Sequence, residues 1–227
     1  AAACNGIPHP SGYPLYITLA HPLLLLTDGI SPAFVLNLFS AACALATVLV
    51  LMLVMQRLTA SPLAAALAGL WFAVGSPFWS QAVRAEVYTL HTLLVIITLG
   101  GALGVLRSPR PRWWYLAGFG YALGLGNHLL ILTLVPALFY AAWRRWPPFA
   151  FIVRGKAAAI ILLAVLYGGM MLRAAAQPPA NWCDPSTPAR LFDLVTLNLY
   201  SELRTGNLDL EVKLGALWDG ACGQFGI

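Results

Sequence analysis

The chain has 227 residues, of which 60% are hydrophobic and 9% charged, and its mean hydropathy is +0.78. Soluble domains carry roughly 25% charged residues, so an ordinary soluble domain is excluded and an integral membrane protein is indicated. The formal charge of +5 does not point to nucleic acid, because the basic residues fall in short loops between apolar runs and read as topology signals.

At about 20 residues per span, the length allows roughly six to eight helices. The chain opens on Ala1-Ala2-Ala3-Cys4 without an initiator methionine or a basic leader. It stops at Gln224-Phe225-Gly226-Ile227, where a further helical segment is expected to begin. Both ends are expected to be cuts in a longer protein. Cys4, Cys43, Cys183 and Cys222 show no CxxC spacing, so neither a zinc nor a redox motif is indicated. No cofactor is expected, and the spacing gives no support for a divalent metal.

The first ordered feature is Ile7-Pro8-His9-Pro10-Ser11-Gly12-Tyr13-Pro14-Leu15-Tyr16. Proline fixes φ and glycine permits positive φ, so this is a stiff, shaped loop ahead of an apolar run. Residues 13–27 are apolar but short, and Pro14 and Pro22 interrupt them; they predict a re-entrant or interfacial helix. Spans are predicted over residues 33–55 and from Pro62, with Ser61 as N-cap, to Val74. Gly75-Ser76-Pro77 breaks the pattern. Residues 79–91 read as a polar helix start leading into an apolar helix that ends near Leu106, with Glu86 in its first turn. Trp113 to Trp143 is almost wholly apolar except at Gly126-Asn127-His128, which predicts two short helices with a turn partly inside the membrane. A further span covers residues 155–172. The expected organisation is a single membrane domain: residues 1–31 as an external loop with a re-entrant helix, 32–172 as an all-α transmembrane bundle, and 173–227 as an external, partly amphipathic segment.

Alternating spans place Arg57, Arg107, Arg110, Arg112, Arg144, Arg145, Arg154 and Lys156 in loops on one side, with no acidic residue among them. The positive-inside rule makes that side cytoplasmic. The other side receives Asp28, Glu86, Asp184, Asp193, Glu202, Asp209, Glu211 and Asp219, together with His9, His21, His91 and His128. Polar groups at a membrane boundary are costly, so a site facing outward and built from several loops is expected there.

Each motif is also compatible with a structural role. His9 could be a plain loop histidine, but a group held between two prolines is positioned at little entropic cost. Glu86, in Arg84-Ala85-Glu86-Val87-Tyr88, could simply favour a helix N-terminus or could bind a cation or a sugar hydroxyl. His91 ranks lower, being out of phase with Glu86. Asn127-His128 in an apolar hairpin is the pair least easily explained by structure alone. Asn181-Trp182-Cys183-Asp184-Pro185 joins an indole face to a carboxylate, and a capped turn would have the same sequence.

At these four segments the chain resembles the DUF2723 family, relatives of the protein O-mannosyltransferases in the polytopic GT-C glycosyltransferase class. The segments are Gly6 to Tyr16, Ala85 to His91, Gly124 to His128 and Asn181 to Pro185. The resemblance implies transfer of a mannose-like sugar from a polyprenyl-phosphate-linked donor to a protein or other hydroxyl acceptor. The site would face the periplasm or lumen, in a multi-pass protein of a bacterial inner membrane. It further implies a catalytic acid in an Asp-Ser-Gly-Glu-like motif upstream of Ala1, so that residues 1–227 lack the base. His9, Tyr13, Arg84, Glu86, Tyr88, Asn127, His128, Trp182 and Asp184 are then expected to bind substrate, and Arg84, His128 and Arg173 to steady the lipid phosphate. Cys183 stands where the family pattern has glycine. The expected partners are the lipid bilayer and the lipid-linked donor. A transporter is the competing class, but it needs polar groups along a path and often repeated broken helices, whereas polarity here gathers on one side. A non-enzymatic membrane subunit would not need polar clusters at membrane depth.

Overall fold

A computed structural model describes residues 1–108, 110–196 and 198. Within them the chain is an all-α membrane bundle. After a 3-10 turn at Ala2–Cys4 come α1 (Pro14–Leu26), α2 (Pro32–Thr59), α3 (Pro62–Val74), α4 (Ser76–Ala82) and α5 (Tyr88–Arg107). These are followed by α6 (Pro111–Asn127), a 3-10 segment at Leu129–Leu134, α7 (Val135–Arg144), α8 (Phe149–Ala175) and α9 (Pro188–Val195). Glu202, Asp209, Glu211, Asp219, Cys222 and the helical segment expected at the C-terminal end lie outside the described residues.

Proline sets many of the helix starts. Pro14, Pro32, Pro62, Pro77, Pro111, Pro136 and Pro188 each occupy a first-turn position, where the missing N–H costs nothing. Ser61 caps α3 as its sequence predicts, its Oγ accepting the Ala64 N–H at 3.2 Å. At Gly75 the chain bends by 70° between α3 and α4.

Helices α2, α5 and α7 run toward their terminal arginines, and α6 and α8 run back, so the basic residues collect at one end. The principal pairings are α2 with α3, α2 with α5, α5 with α6, and α6 with α8. Lipid gives helices no hydrophobic drive to associate, and small residues allow close contact instead. A β-carbon at Gly101 would stand 2.5 Å from the Ala117 backbone nitrogen, so α5 and α6 nearly touch there. Leucines along α2, such as Leu38, Leu45 and Leu49, are exposed, as a lipid-facing surface requires. Short α1 is wedged against α2, α6 and α8. Its Leu15, Tyr16, Ile17 and Ala20 form the main core with Cys43, Leu90, Leu94 and Leu166.

The structure corrects three sequence expectations. Only α2, α5 and α8 are long and apolar enough to cross a membrane, with the bent α3–α4 pair as a fourth, among the described residues. The figure of six to eight divided the length alone by about 20 residues per span, whereas several of the helices that form are too short to cross. Second, residues 79–91 are not one helix start. Helix α4 ends at Ala82 and α5 begins at Tyr88, which leaves Glu86 outside the helix. Its N–H bonds Arg84 O at 2.8 Å, and Ser40 Oγ donates to Glu86 O at 3.3 Å, so tertiary partners replace helical ones. Third, Arg154 and Lys156 lie within α8 rather than in a loop; long basic side chains tolerate this by extending to the interface.

Candidate functional site

The end of the bundle opposite the arginines is organised by the proline-rich loop. Gly12 at φ 82° and Tyr13 at φ 43° are both left-handed, and together they turn the chain into α1. Glycine takes this conformation without penalty, and the space also demands it: a β-carbon at Gly12 would lie 2.6 Å from Met170 Sδ. The Gly12 N–H closes the turn on His9 O at 2.9 Å. The Tyr13 hydroxyl donates back to Pro10 O at 3.2 Å and lies 3.2 Å from His9 Nδ1.

Rings from three elements meet here. His9 sits edge-on to Tyr13 at 5.1 Å, and Tyr13 stacks on His128 at 5.5 Å and 19°. His128 in turn contacts Tyr88 at 5.6 Å and His91 at 5.3 Å, at the start of α5. The Leu130 N–H donates to His128 Nδ1 at 3.1 Å. Nδ1 is therefore an acceptor, and the neutral ring carries its proton on Nε2. Sequence reasoning ranks His91 below Glu86 and His128, yet its ring packs against His128. Its phase was judged against Glu86 on a shared helix, but Glu86 is off the helix, and His91 reaches His128 from α5 independently.

Beneath the rings, Asn127 is buried, and its Nδ2 donates to Val87 O at 3.2 Å. Asn127 Oδ1, His91 Nδ1, Thr89 Oγ1 and the Tyr16 hydroxyl are buried without a hydrogen-bond partner. Buried polar atoms are seldom left unpaired, and several at one end of a bundle describe a place built for polar company. A cavity of about 190 Å³ lies beside them, lined by His9, Tyr13, Tyr16, Leu36, Ala85 and Glu86 among others. Exposed Glu86 thus shares a cavity with the proline-rich loop, although 76 positions separate it from Pro10. Arg84 is exposed in the same turn and lines neither the cavity nor the ring cluster.

The segment after α8 is tied to this loop. Ile7 N–H donates to Ala180 O at 2.7 Å and Trp182 N–H to Ile7 O at 3.1 Å, forming an isolated bridge. Trp182 is half-exposed. Asp184 is engaged with its own loop: Gln177 donates to Oδ1 at 3.1 Å, Asn181 to Oδ1 at 3.2 Å, and Arg190 pairs with Oδ2. Desolvation raises its pKa, but hydrogen bonds from Ser186, Gln177 and Asn181 and the Arg190 charge together outweigh it, holding the carboxyl below its usual value. The depressed value stabilises the loop fully above the ordinary carboxylate pKa, and this is lost only as pH falls through the lowered one.

Cys183 at φ 61° precedes Asp184 at φ 42°, so glycine at the first position would suit the backbone. We predict that Cys183→Gly raises stability by about 0.5–1 kcal/mol, the left-handed cost of about 1–2 kcal/mol offset in part by glycine entropy. Thermal melting of the detergent-extracted protein measures it. A lower melting temperature would mean that packing of the Cys183 side chain outweighs backbone strain.

Arg173, in the last turn of α8, completes this end. Its Nη1 donates to Thr18 Oγ1 on α1 at 3.1 Å, while Nε and Nη2 are buried without hydrogen-bond partners among the described residues. Among the described residues no group of three or more His, Cys, Asp or Glu is arranged to hold a metal ion. His21 has a local role, its Nδ1 lying 2.9 Å from Ala2 O.

A multi-pass helical bundle with histidines, tyrosines and a carboxylate gathered at one end, and most of its arginines at the other, defines a polytopic membrane protein. The sequence model of the family described as "Protein O-mannosyl-transferase TMEM260 N-terminal domain" matches residues 1–147, and the chain belongs to that O-mannosyltransferase-like family. No curated protein and no solved structure matched the chain.

Proposed function

We propose that the chain is the membrane part of a GT-C-class glycosyltransferase of the DUF2723 type. In this reading it moves a mannose-like sugar from a polyprenyl-phosphate carrier to a protein hydroxyl at the end bearing the His9 loop, on the periplasmic or lumenal side. The observation that carries the reading is convergence: the loop at 7–16 and the turn at 84–88 line one cavity, the Asn127-His128 break packs against Tyr13 and Val87 of that lining, and the 180–185 segment is bridged to the loop, in a chain of an O-mannosyltransferase family.

In this reading the groups present bind substrate, and the base is not among them. A carboxylate on this face takes the acceptor's proton, the freed oxygen attacks the anomeric carbon, and the carrier phosphate leaves. Glu86 and the His9–Tyr13–His128 rings supply hydrogen-bond partners and flat faces for a sugar. Arg173, with buried donors in need of an acceptor, faces the phosphate's charge. Trp182 lies exposed at the rim for the acceptor or sugar.

The test is transfer of radiolabelled mannose from polyprenyl-phosphate mannose to acceptor peptides by the full-length parent in proteoliposomes. It is paired with cysteine labelling of intact cells. Cysteines placed at exposed positions in the loops around His9, Glu86, Asn127 and Asp184 are expected to react from outside, and those in the 107–112 loop only after lysis. Opposite-side labelling of any two of the first four would sink the shared site, and absence of transfer with every isoprenoid-phosphate sugar tried would remove the activity.

A further inference from the structure

The opposite end of the bundle holds a second cluster that sugar transfer does not use. Arg57 lies in the last turn of α2, Arg107 ends α5, and Arg112 and Trp113 lie in the first turn of α6. The Arg57 and Arg112 guanidiniums lie 5.0 and 4.8 Å from the centre of the same Trp113 ring. Arg107 donates to the Arg57 and Leu58 carbonyls at the end of α2. That anchors Arg107 to the free carbonyls of a helix terminus, but it leaves the positive charge of all three side chains without a counterion. Among the described residues the one ion pair is Arg190 with Asp184, at the far end. Trp113 Nε1 is buried and has no hydrogen-bond partner among the described residues.

A cavity of about 90 Å³ opens among these groups, lined by Arg57, Leu58, Gly104, Arg107, Ser108 and Trp113. Two guanidiniums against one ring with Arg107 beside them, an indole N–H unpaired among the described residues, and the N-terminus of α6 all favour an anion. The volume is far below the roughly 300 Å³ of nucleotide-sized pockets. The place narrows the choice further: the cavity sits where membrane-crossing α2 and α5 end, with apolar Val54 and Leu103 in its wall.

We propose that this pocket is a specific site for the phosphate headgroup of an anionic phospholipid, with the acyl chains running down the apolar wall. Arg57 and the Trp113 N–H bind the phosphate from within the pocket, Arg112 adds positive charge against the Trp113 ring, and Arg107 holds the end of α2 in place. A general basic surface attracts anionic lipid too, but it would not distinguish these arginines from others at the same end.

The experiment is native mass spectrometry of the detergent-purified parent protein, titrated with phosphatidylglycerol and, separately, phosphatidylcholine. Wild type is expected to retain phosphatidylglycerol selectively. R57Q/R112Q is expected to lose at least about tenfold in that retention, while R144Q/R145Q, at the same end but outside the pocket, stays near wild type. Trp113→Phe keeps a ring for the guanidiniums but lacks the N–H, and it is expected to bind several-fold more weakly even if the double variant does not fold. Equal losses in both double variants would mean surface attraction alone and would overturn the site. So would no loss in either double variant, unchanged binding by Trp113→Phe, or displacement of the lipid by excess inorganic phosphate.

Discussion

Glu86→Gln and His128→Ala, each made in the full-length parent, are expected to lower sugar transfer by at least about tenfold while leaving membrane insertion intact. One hydrogen bond to a charged or developing-charge group is worth about 1.5–3 kcal/mol, and about 1.4 kcal/mol is a factor of ten. Glu86 is exposed, lines the cavity beside His9 and Tyr13, and has no ion-pair partner among the described residues. Its fold-related bonds are made by its backbone, to Arg84 and Ser40, so glutamine leaves them in place. His128 is more embedded, stacking on Tyr13 and touching Tyr88 and His91. Alanine there removes the centre of the ring cluster and the Leu130 bond, so His128→Gln serves as the milder companion. The measure is transfer per folded molecule, with monodispersity checked on the same preparation. Wild-type rates in Glu86→Gln and both His128 variants at equal folded yield would remove these residues from the site.

The helical membrane class could be read from composition, and several boundaries could be read from punctuation. Ser61-Pro62, Gly75 and Asn127-His128 mark real breaks because proline, glycine and capping side chains act locally. The stretch from Val83 to Val87 could not be read this way. There Ser40, 46 positions earlier, bonds the Glu86 backbone, and no local pattern encodes a partner so distant. The same limit hid His91, whose relation to His128 depends on how α5 packs against the end of α6. The segment at 181–185 was suspected as a single unit, but the structure separates its parts: Trp182 is exposed while Asp184 is tied into its own loop. Whether a carboxylate serves the loop or a ligand depends on which donors fold back onto it, and Gln177 and Arg190 do so from either side.

Arg173→Met is expected to move stability and activity in opposite directions. Two guanidinium nitrogens of Arg173 are buried without hydrogen-bond partners among the described residues, and each such group costs about 1–3 kcal/mol. Methionine keeps a long flexible chain in that space and removes the unpaired donors, while giving up the Thr18 bond, worth about 1 kcal/mol. The unliganded variant is therefore expected to melt higher by a few degrees. Transfer is expected to fall at least about a hundredfold, because two hydrogen bonds to a phosphate at about 1.5–3 kcal/mol each are lost. The loss should appear chiefly as a raised KM for the lipid-linked donor, with the acceptor KM little changed. Arg173→Lys keeps the charge but not the planar fork, and should recover part of the activity. A mere tether between α8 and α1 behaves otherwise: the methionine variant would then melt lower and transfer sugar normally per folded molecule. That pair of results would remove Arg173 from the phosphate site, whatever the behaviour of Glu86 and His128. A residue kept at a cost to the empty fold is what a site needs when its ligand supplies the missing acceptor.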